Sequence, residues 1–525
     1  MPHDSGLFGY SFLISRALFF NPVPGALVLI EASRVLWLYR LLLSGLVLML
    51  SVCICACSQP GSRPPNIVLI LADDLGWRDT AVYGSEYYQT PNIDLLAAEG
   101  LRFTRAYSSS PVCSPTRASI VTGYNPAFLR FTGASARDAE VVDFPTEMPA
   151  TTGRDRAVVP APSATRLALE HKTVGSYLKD AGYRTGFFGK WHLGDGAWSP
   201  GQRGYDVAMP GGSFPGVESY YSPYHLTNFQ DGPEGEHLDQ RLAKEAVAFV
   251  QHSLEGQGDQ PFFLSFWPFS PHYPFQASKQ LVQKYQRLRD PSYPQQYPVM
   301  AGMIEELDTA LGILFEGLKA AGVWQNTVII FMSDNGGVDW MGRVPEEPMP
   351  TDNFPLRGGK AQIYEGGIRV PLIVSWPGQV QAQQVSDQLV SSEDLFATIL
   401  HIAGIDRGRR KINHSQSLYP LLSGQPENES RNSVVIHYPH YVKRLHASPA
   451  SSILDGRWKL IHNYATAGAG AQTSTYELYD LEHDIGETNN LAASRPDLVK
   501  TMGQQLDAAL KRMDALVPIP NPLFQ

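Results

Sequence analysis

The stretch Asn66–Ala72, NIVLILA, is a continuous apolar run rich in β-branched residues, closed by two aspartates, Asp73 and Asp74. A run apolar on both faces of a strand needs cover on both faces. It belongs in the middle of a parallel sheet with helices on either side. Similar runs lie at 183–192, 261–269, 326–337 and 370–378. Helical patterns separate them at 92–100, 173–182, 238–254 and 300–322. This alternation predicts an α/β fold: a large mixed, mostly parallel sheet flanked by helices.

Beyond residue 428 the pattern changes to short strand-like pieces, SVVIHYPHY, SSILDGRWKLIHNY and YELYDLE, and then one long helical stretch. A smaller C-terminal antiparallel sheet plus helix is expected over 428–525, after an α/β domain at 66–427. Residues 125–165 are rich in Ala, Thr, Pro and charge without a period, and read as a long surface loop or lid. The net charge of −9, with no long Lys/Arg run, argues against nucleic acid as a partner.

Residues 1–57 read as a hydrophobic export segment. Arg40 precedes an apolar core, small residues and a Pro/Gly-rich spacer. Ile54-Cys55-Ala56-Cys57 resembles a bacterial lipobox, with Cys57 as the lipidated residue. The alternatives are a plain signal peptide or a transmembrane anchor, although the run from Leu41 is short for a span. The extra hydrophobic stretch at 1–39 suggests an over-extended start, or else a hairpin of two membrane segments. The expectation is an exported protein of the bacterial periplasm or cell surface, lipid-anchored, meeting the membrane only through that anchor.

The chain has four cysteines, three of them in the export segment. Cys113 stands alone in the globular part, so no disulfide framework is available. It lies in PVCSPTRASIVTG, where Ser114 suits an N-cap, Pro115 a first turn and Gly123 a helix end. Cys113 would sit at a helix N-terminus, which favours an anion, with Arg117 one turn along. A buried small hydrophobe is the plainer reading of a lone cysteine.

Several strands end in polar residues, and in open α/β sheets ligands gather at the carboxyl ends of strands. Asp73 and Asp74 repel each other unless a cation lies between them. With Asp334 and Asn335 of SDNGG they make four hard oxygen ligands, which suit Ca²⁺ or Mg²⁺. A turn and helix cap is the simpler reading of the Asp pair alone. Lys190 and His192 in GKWHLG are spaced to face one pocket if that segment is extended. His272 in SPHYPF and Lys360 in LRGGKAQIYEGG are further candidates, though a lone His or Lys is more often a surface or satisfied core residue.

Together these motifs resemble the type I, formylglycine-dependent sulfatases of the alkaline-phosphatase-like superfamily. CSPTR followed by Thr122-Gly123 is similar to their C-x-P-x-R…T-G signature. NIVLILADDLGW, GYRTGFFGKWHLG, SDNGG, PLRGGK…YEGGIRVP and ELYDLEHDIGETNNLA follow in the same order, from about residue 66 to 492. The resemblance implies that a maturation enzyme oxidises Cys113 to formylglycine. One hydroxyl of the hydrated aldehyde attacks a sulfate ester, and the other then expels sulfate. It implies that Asp73, Asp74, Asp334, Asn335 and modified residue 113 hold a metal, Ca²⁺ before Mg²⁺. Arg117 would orient the hydroxyls, Lys190 and Lys360 would neutralise sulfate, and His192 would act as base. His272 would be the acid to the leaving oxygen, with Lys360 as the competitor.

The aromatic, Gly-rich segment 212–235 could stack on sugar rings or fill the core. The stretch 437–448, with His440, Lys443, Arg444 and His446, could present a basic cluster to a sulfated glycan or be a solvated loop. His440 and Arg444 are taken as substrate-binding candidates beside Lys190, His272 and Lys360. The expected activity is removal of sulfate from a sulfated polysaccharide or glycosaminoglycan-like carbohydrate. A formylglycine-dependent phosphonate or phosphodiester hydrolase, and a non-catalytic glycan-binding surface protein, are the alternatives. One departure from the family pattern is INHSQSL, with Asn413-His414 where relatives often carry Asp-Gly.

Overall fold

The computed structural model describes residues 64–524 apart from 136–139, 256–259, 340–348, 406–410, 426–430 and 466–473. Residues 1–57, read above as an export segment, lie outside the described residues, Cys57 among them. Among the described residues no helix is long and apolar enough to cross a membrane.

Eight strands build the main sheet: β1 (Asn66–Ala72), β2 (Leu101–Phe103), β3 (Arg184–Gly189), β4 (Val207–Pro210), β5 (Phe262–Trp267), β6 (Thr327–Ser333), β7 (Leu372–Ser375) and β8 (Gln384–Ser386). Their order is β8-β2-β7-β6-β1-β5-β3-β4. All neighbours pair in parallel except β7, which runs antiparallel to β2 and β6. The α/β expectation therefore stands, with β7 as the one reversed strand.

The alternation within β1 explains its central place. Val68, Ile70 and Ala72 enter one core, and Ile67, Leu69 and Leu71 enter the other. The first core is covered by the helices at Leu238–Leu254 and Pro298–Ala320. The second is covered by α1 (Cys113–Thr122) and α2 (Asp394–Ile402). Ala118, Ile120 and Val121 hold α1 in that core. Full burial of Ile120 or Val121 is worth about 1.5–3 kcal/mol each.

The second sheet is an antiparallel meander of β9 (Ser433–Tyr438), β10 (Ala450–Asp455), β11 (Trp458–Asn463) and β12 (Thr475–Asp480). Helix α3 (Pro496–Arg512) packs on it through Met502, Leu506 and Leu510, against Ile453, Leu460 and Leu478. Both sheets lie in one compact unit, Pro64–Gln525. A fully buried network crosses between them. Lys459 of β11 meets Glu365 Oε1 at 2.9 Å and Glu487 Oε1 at 2.8 Å.

One local expectation is revised, and two are made more definite. Helix α1 begins at Cys113 itself, with Val112 as its N-cap and no side-chain cap. Ser114 Oγ instead accepts from the Ser135 amide at 3.2 Å. The aromatic segment 212–235 is largely core: Val217, Tyr220, Tyr224, Leu226 and Phe229 are all buried. The loop after residue 125 is tied down. Val158–Val159 pairs with Ile519–Pro520, and the Arg130 carbonyl accepts from the Ala164 amide at 2.7 Å.

Candidate active site

The four central strands β6, β1, β5 and β3 end side by side, and each passes directly into candidate residues. Ala72 and Ser333 are register partners, so Asp73 and Asp334 follow as neighbours. Gly189 pairs with Trp267, so Lys190 leaves β3 beside the turn that carries His272. Gly189 has φ +125, and a Cβ there would lie 1.8 Å from the Trp267 carbonyl oxygen. Only glycine allows the two chains to come this close.

The structure brings the predicted residues together. Cys113 Sγ lies 3.4 Å from Asp73 Oδ1 and 3.8 Å from Asp74 Oδ1. Lys190 Nζ reaches Asp73 Oδ2 at 2.6 Å, and Lys360 Nζ reaches Asp74 Oδ2 at 2.6 Å. Arg117 is fully buried. Its Nε donates to Asp334 Oδ2 at 2.8 Å, its Nη1 donates to the Lys190 carbonyl, and its Nη2 lies 3.7 Å from Asp73 Oδ1. Asn335 Nδ2 donates to Asp74 Oδ1 at 2.8 Å. His272 Nε2 lies 3.7 Å from Asp74 Oδ2.

The electrostatics match this crowding. Burial pushes the Cys113 thiol well up, against the pull of Lys190 and Lys360. Burial also works to raise Asp74, but Lys360, His272 and Lys190 outweigh it and hold that carboxyl well below the usual range. Asp334 moves the other way, up to about 6, because burial and its neighbours Asp73 and Asp74 outweigh Arg117. Three buried carboxylates thus share a site that cannot easily ionise them all.

That donor set fits a divalent cation. Asp73, Asp74 and Asp334 are hard ligands, and the Asn335 Oδ1 oxygen is buried with no hydrogen-bond partner. Asp73, Asp74, Cys113 and His272 also place ligand atoms within 4.8 Å of one another. Three carboxylates balance Arg117, Lys190 and Lys360. A divalent cation would leave the pocket net positive and suited to an anionic ester.

The two histidines differ in presentation. His192 is buried, and its Nε2 lies 2.7 Å from the Ser135 carbonyl, which can only accept. The proton therefore sits on Nε2, and Nδ1, buried and without a partner, carries a bare lone pair. Burial and Lys190 hold His192 well below the ordinary imidazole range. His192 has φ +59, so the segment after Gly189 is not extended. The predicted strand-like alternation of Lys190 and His192 does not occur; Lys190 reaches Asp73 from the end of β3, and His192, after the left-handed turn, bonds the Ser135 carbonyl. His272 Nδ1 donates to the Tyr273 carbonyl at 2.7 Å, and burial with Lys190 and Lys360 lowers its pKa to about 3.

The small sheet closes one side. Tyr438, His440 and the turn Lys443–Leu445 follow one another from the end of β9. His440 Nε2 bonds Thr132 Oγ1 at 2.8 Å, and burial lowers it to about 3. It is a neutral group, not part of a basic cluster. Arg444 is exposed on the turn. The Leu445 carbonyl accepts from Gln362 Nε2 at 2.9 Å, two residues past Lys360.

Sequence reasoning missed Tyr438, which packs with Val112 and Ala361, and Tyr220, whose hydroxyl donates to the Phe269 and His272 carbonyls at 2.7 Å. No local signal marks either. The departure at Asn413-His414 forms a tight turn with Asn413 at φ +58, which asparagine tolerates well. Asn413 Nδ2 donates to the Thr122 carbonyl at 2.7 Å, so the turn braces the end of α1.

Comparison with known proteins is consistent with this geometry. Residues 65–405 match the family model described as Sulfatase, and residues 359–515 match that described as N-sulphoglucosamine sulphohydrolase, C-terminal. The chain is 30% identical over 527 residues to a sulfatase of Formosa agariphila, covering 87% of this chain and 89% of that protein. It is 34% identical over 382 residues to human N-acetylgalactosamine-6-sulfatase, covering 69% of this chain and 66% of that protein. The crystal structure of Ps i-CgsB in complex with k-i-k-neocarrahexaose superposes with a TM-score of 0.64 at 26% identity, covering 85% of this chain and 93% of that one.

Proposed function

The chain belongs to the sulfatase family, and from that premise we propose that it removes sulfate from a sulfated carbohydrate through a formylglycine made from Cys113. The observation that carries the reading is the burial of Cys113 between the carboxylates Asp73 and Asp74, with Lys190 and Lys360 on those same carboxylates. The carbohydrate is supported by the sugar-acting names among its relatives, the N-acetylgalactosamine-6-sulfatase and the structure with bound neocarrahexaose.

Asp73, Asp74, Asp334 and Asn335 would hold Ca²⁺, with Mg²⁺ as the alternative. The cation would supply Lewis-acid polarisation and acidify a hydroxyl on residue 113. Hydrated formylglycine supplies two hydroxyls on one carbon, one to take the sulfuryl group and one to expel it. The remaining work falls to the chain's own side chains. Arg117 fixes Asp334 and the Lys190 carbonyl. Lys190 and Lys360 stand ready to neutralise sulfate oxygens. His192, neutral with a bare Nδ1, suits the base. For the leaving oxygen Lys360 is favoured over His272. Asp74 keeps the Lys360 ammonium protonated, whereas His272 is neutral with Nε2 bare.

The proposal extends to a formylglycine-generating maturation enzyme as partner. It also includes export to the periplasm or cell surface with lipid on Cys57, a reading supported by the sequence of residues 40–57. The test is a parallel assay on 4-nitrophenyl sulfate, 4-nitrophenyl phosphate, bis(4-nitrophenyl) phosphate and a panel of sulfated saccharides. Turnover of sulfate esters including at least one saccharide is expected. Turnover of phosphate esters alone overturns the proposal in favour of the phosphodiesterase alternative.

A further inference from the structure

We propose that Tyr438 is a substrate-binding residue, whose phenolic hydroxyl donates a hydrogen bond to the uncharged, oxygen-rich alcohol portion of the ester. This rests on the sulfatase reading and deepens it. Tyr438 ends β9 in the second sheet, and its side chain belongs to a small cluster with Val112, Ala361 and Ala447. Val112 directly precedes Cys113, and Ala361 directly follows Lys360. The two loops are joined there by the Ala361 amide, which donates to the Pro111 carbonyl at 2.8 Å. The ring is therefore seated between the segments carrying two of the reacting residues. Lys360 and Cys113 both act electrostatically on its hydroxyl.

Tyr438 is only 3% exposed as a residue, and its hydroxyl, which is not sealed from solvent, makes no hydrogen bond among the described residues. A donor left without a protein partner and open to solvent beside the reacting residues is free to bond a ligand oxygen. His440, with its ring 5.2 Å from the Tyr438 ring, is bonded to Thr132. Burial raises the phenol, so it stays a protonated donor, and His440 stays neutral.

The pocket is thus divided. Lys190, Lys360 and Arg117, paired with Asp73, Asp74 and Asp334, make a charged floor around Cys113, and Tyr438 and His440 from the end of β9, with Thr132, add a neutral polar wall. Charge belongs on the floor, where it meets sulfate. A neutral donor on the wall suits the hydroxyl, ring or glycosidic oxygens of a sugar. An aryl alcohol offers no such oxygens beyond the ester oxygen itself.

The experiment compares wild type, Tyr438→Phe and Tyr438→Ala on 4-nitrophenyl sulfate and on the sulfated saccharide that wild type turns over fastest. Phenylalanine keeps the packing and removes only the hydroxyl; alanine removes the ring as well. Expected for Tyr438→Phe is a roughly fivefold rise in KM for the saccharide, the size of one neutral hydrogen bond. The kcat on the saccharide and both constants on 4-nitrophenyl sulfate should be nearly unchanged. Tyr438→Ala should impair both substrates. Equal losses on both substrates with Tyr438→Phe, or no loss on either, overturn the assignment. A wild type active only on the aryl ester also overturns it while leaving a sulfatase in place. A wild type inactive on both is a failure of the proposed function itself.

Discussion

Replacing Lys459 with methionine removes the one cation that, among the described residues, lies between Glu365 and Glu487. Lys459 is fully buried, as are both carboxylates, at 2.9 and 2.8 Å. The two acids would not suffer equally. Glu365 keeps Tyr107, whose hydroxyl donates at 2.9 Å, and Arg369 at 3.4 Å. Among the described residues Glu487 keeps no cation, and its Oε2 accepts the Glu365 amide at 2.7 Å. Breaking a buried pair by removing one partner costs about 3–5 kcal/mol. Unfolding entropy of about 2.1 cal/mol/K per residue over about 460 residues makes each kcal/mol worth about 1 °C, so K459M should melt about 3–5 °C lower at pH 8. Glu487 already sits near 7 because burial outweighs Lys459. In K459M it can take a proton more readily still, so the deficit should shrink toward pH 6. Adding Glu487→Gln to K459M removes the orphaned charge and should restore more than half of the loss. Activity should fall as well. Glu365 opens the turn whose Gly367 carbonyl accepts from the Gly336 amide, one residue past Asn335. Melting followed by circular dichroism at both pH values is the assay. A K459M melting point within 1 °C of wild type at pH 8, or a double variant that adds the two losses, refutes the argument.

Three further outcomes are expected. Arg117→Lys cannot reproduce the contacts to Asp334 and the Lys190 carbonyl together; kcat on 4-nitrophenyl sulfate should fall about 100-fold or more, and a loss under threefold counts against the role given to Arg117. Chelation should lower both activity and melting temperature, with recovery on adding Ca²⁺, whereas Asp74→Asn should abolish the Ca²⁺ response in calorimetry. His437 is buried between Ser451 Oγ at 2.6 Å and the Leu516 carbonyl at 3.0 Å, and burial lowers it to about 4 from an ordinary 6.5. Its neutral form is the folded one, so its stabilising contribution is full above pH 6.5 and is lost as pH falls toward 4, by about 3 kcal/mol. His437→Gln should therefore narrow its melting gap to wild type between pH 7 and pH 4.5, and a gap independent of pH contradicts the linkage.

Much of the architecture was legible because its signals are local. The run 66–72 and its counterparts became β1, β3, β5, β6 and β7, since strands buried on both faces carry continuous apolar sequence. The pieces after 428 became β9 to β12, and the last pattern became α3. The site residues were legible as strand-end polar groups and family motifs. Other features depend on packing between distant segments. The aromatic run 212–235 carries the composition of a sugar platform, but its Tyr220 and Tyr224 fill the core, Tyr220 bonding the His272 turn from beneath. His192 lies in a motif that reads as extended, yet its backbone is left-handed, and its ring is held by the carbonyl of the distant Ser135. Tyr438 is one tyrosine among many until β9 sets it beside Val112 and Ala361. The neutral state of His440 comes from its burial against Thr132, which its basic-looking neighbours in sequence conceal.

The central claim is that Cys113 is the precursor of the reacting group. The direct measurement is the mass of the tryptic peptide spanning residues 106–117, from protein purified from its native cells. The account predicts a peptide lighter by the difference between a thiol-bearing CH₂SH and an aldehyde CHO, with a hydrate that differs from the thiol only in exact mass, and reactive toward an aldehyde-trapping hydrazide. A peptide carrying an unmodified thiol throughout, in protein that still hydrolyses sulfate esters, would contradict it.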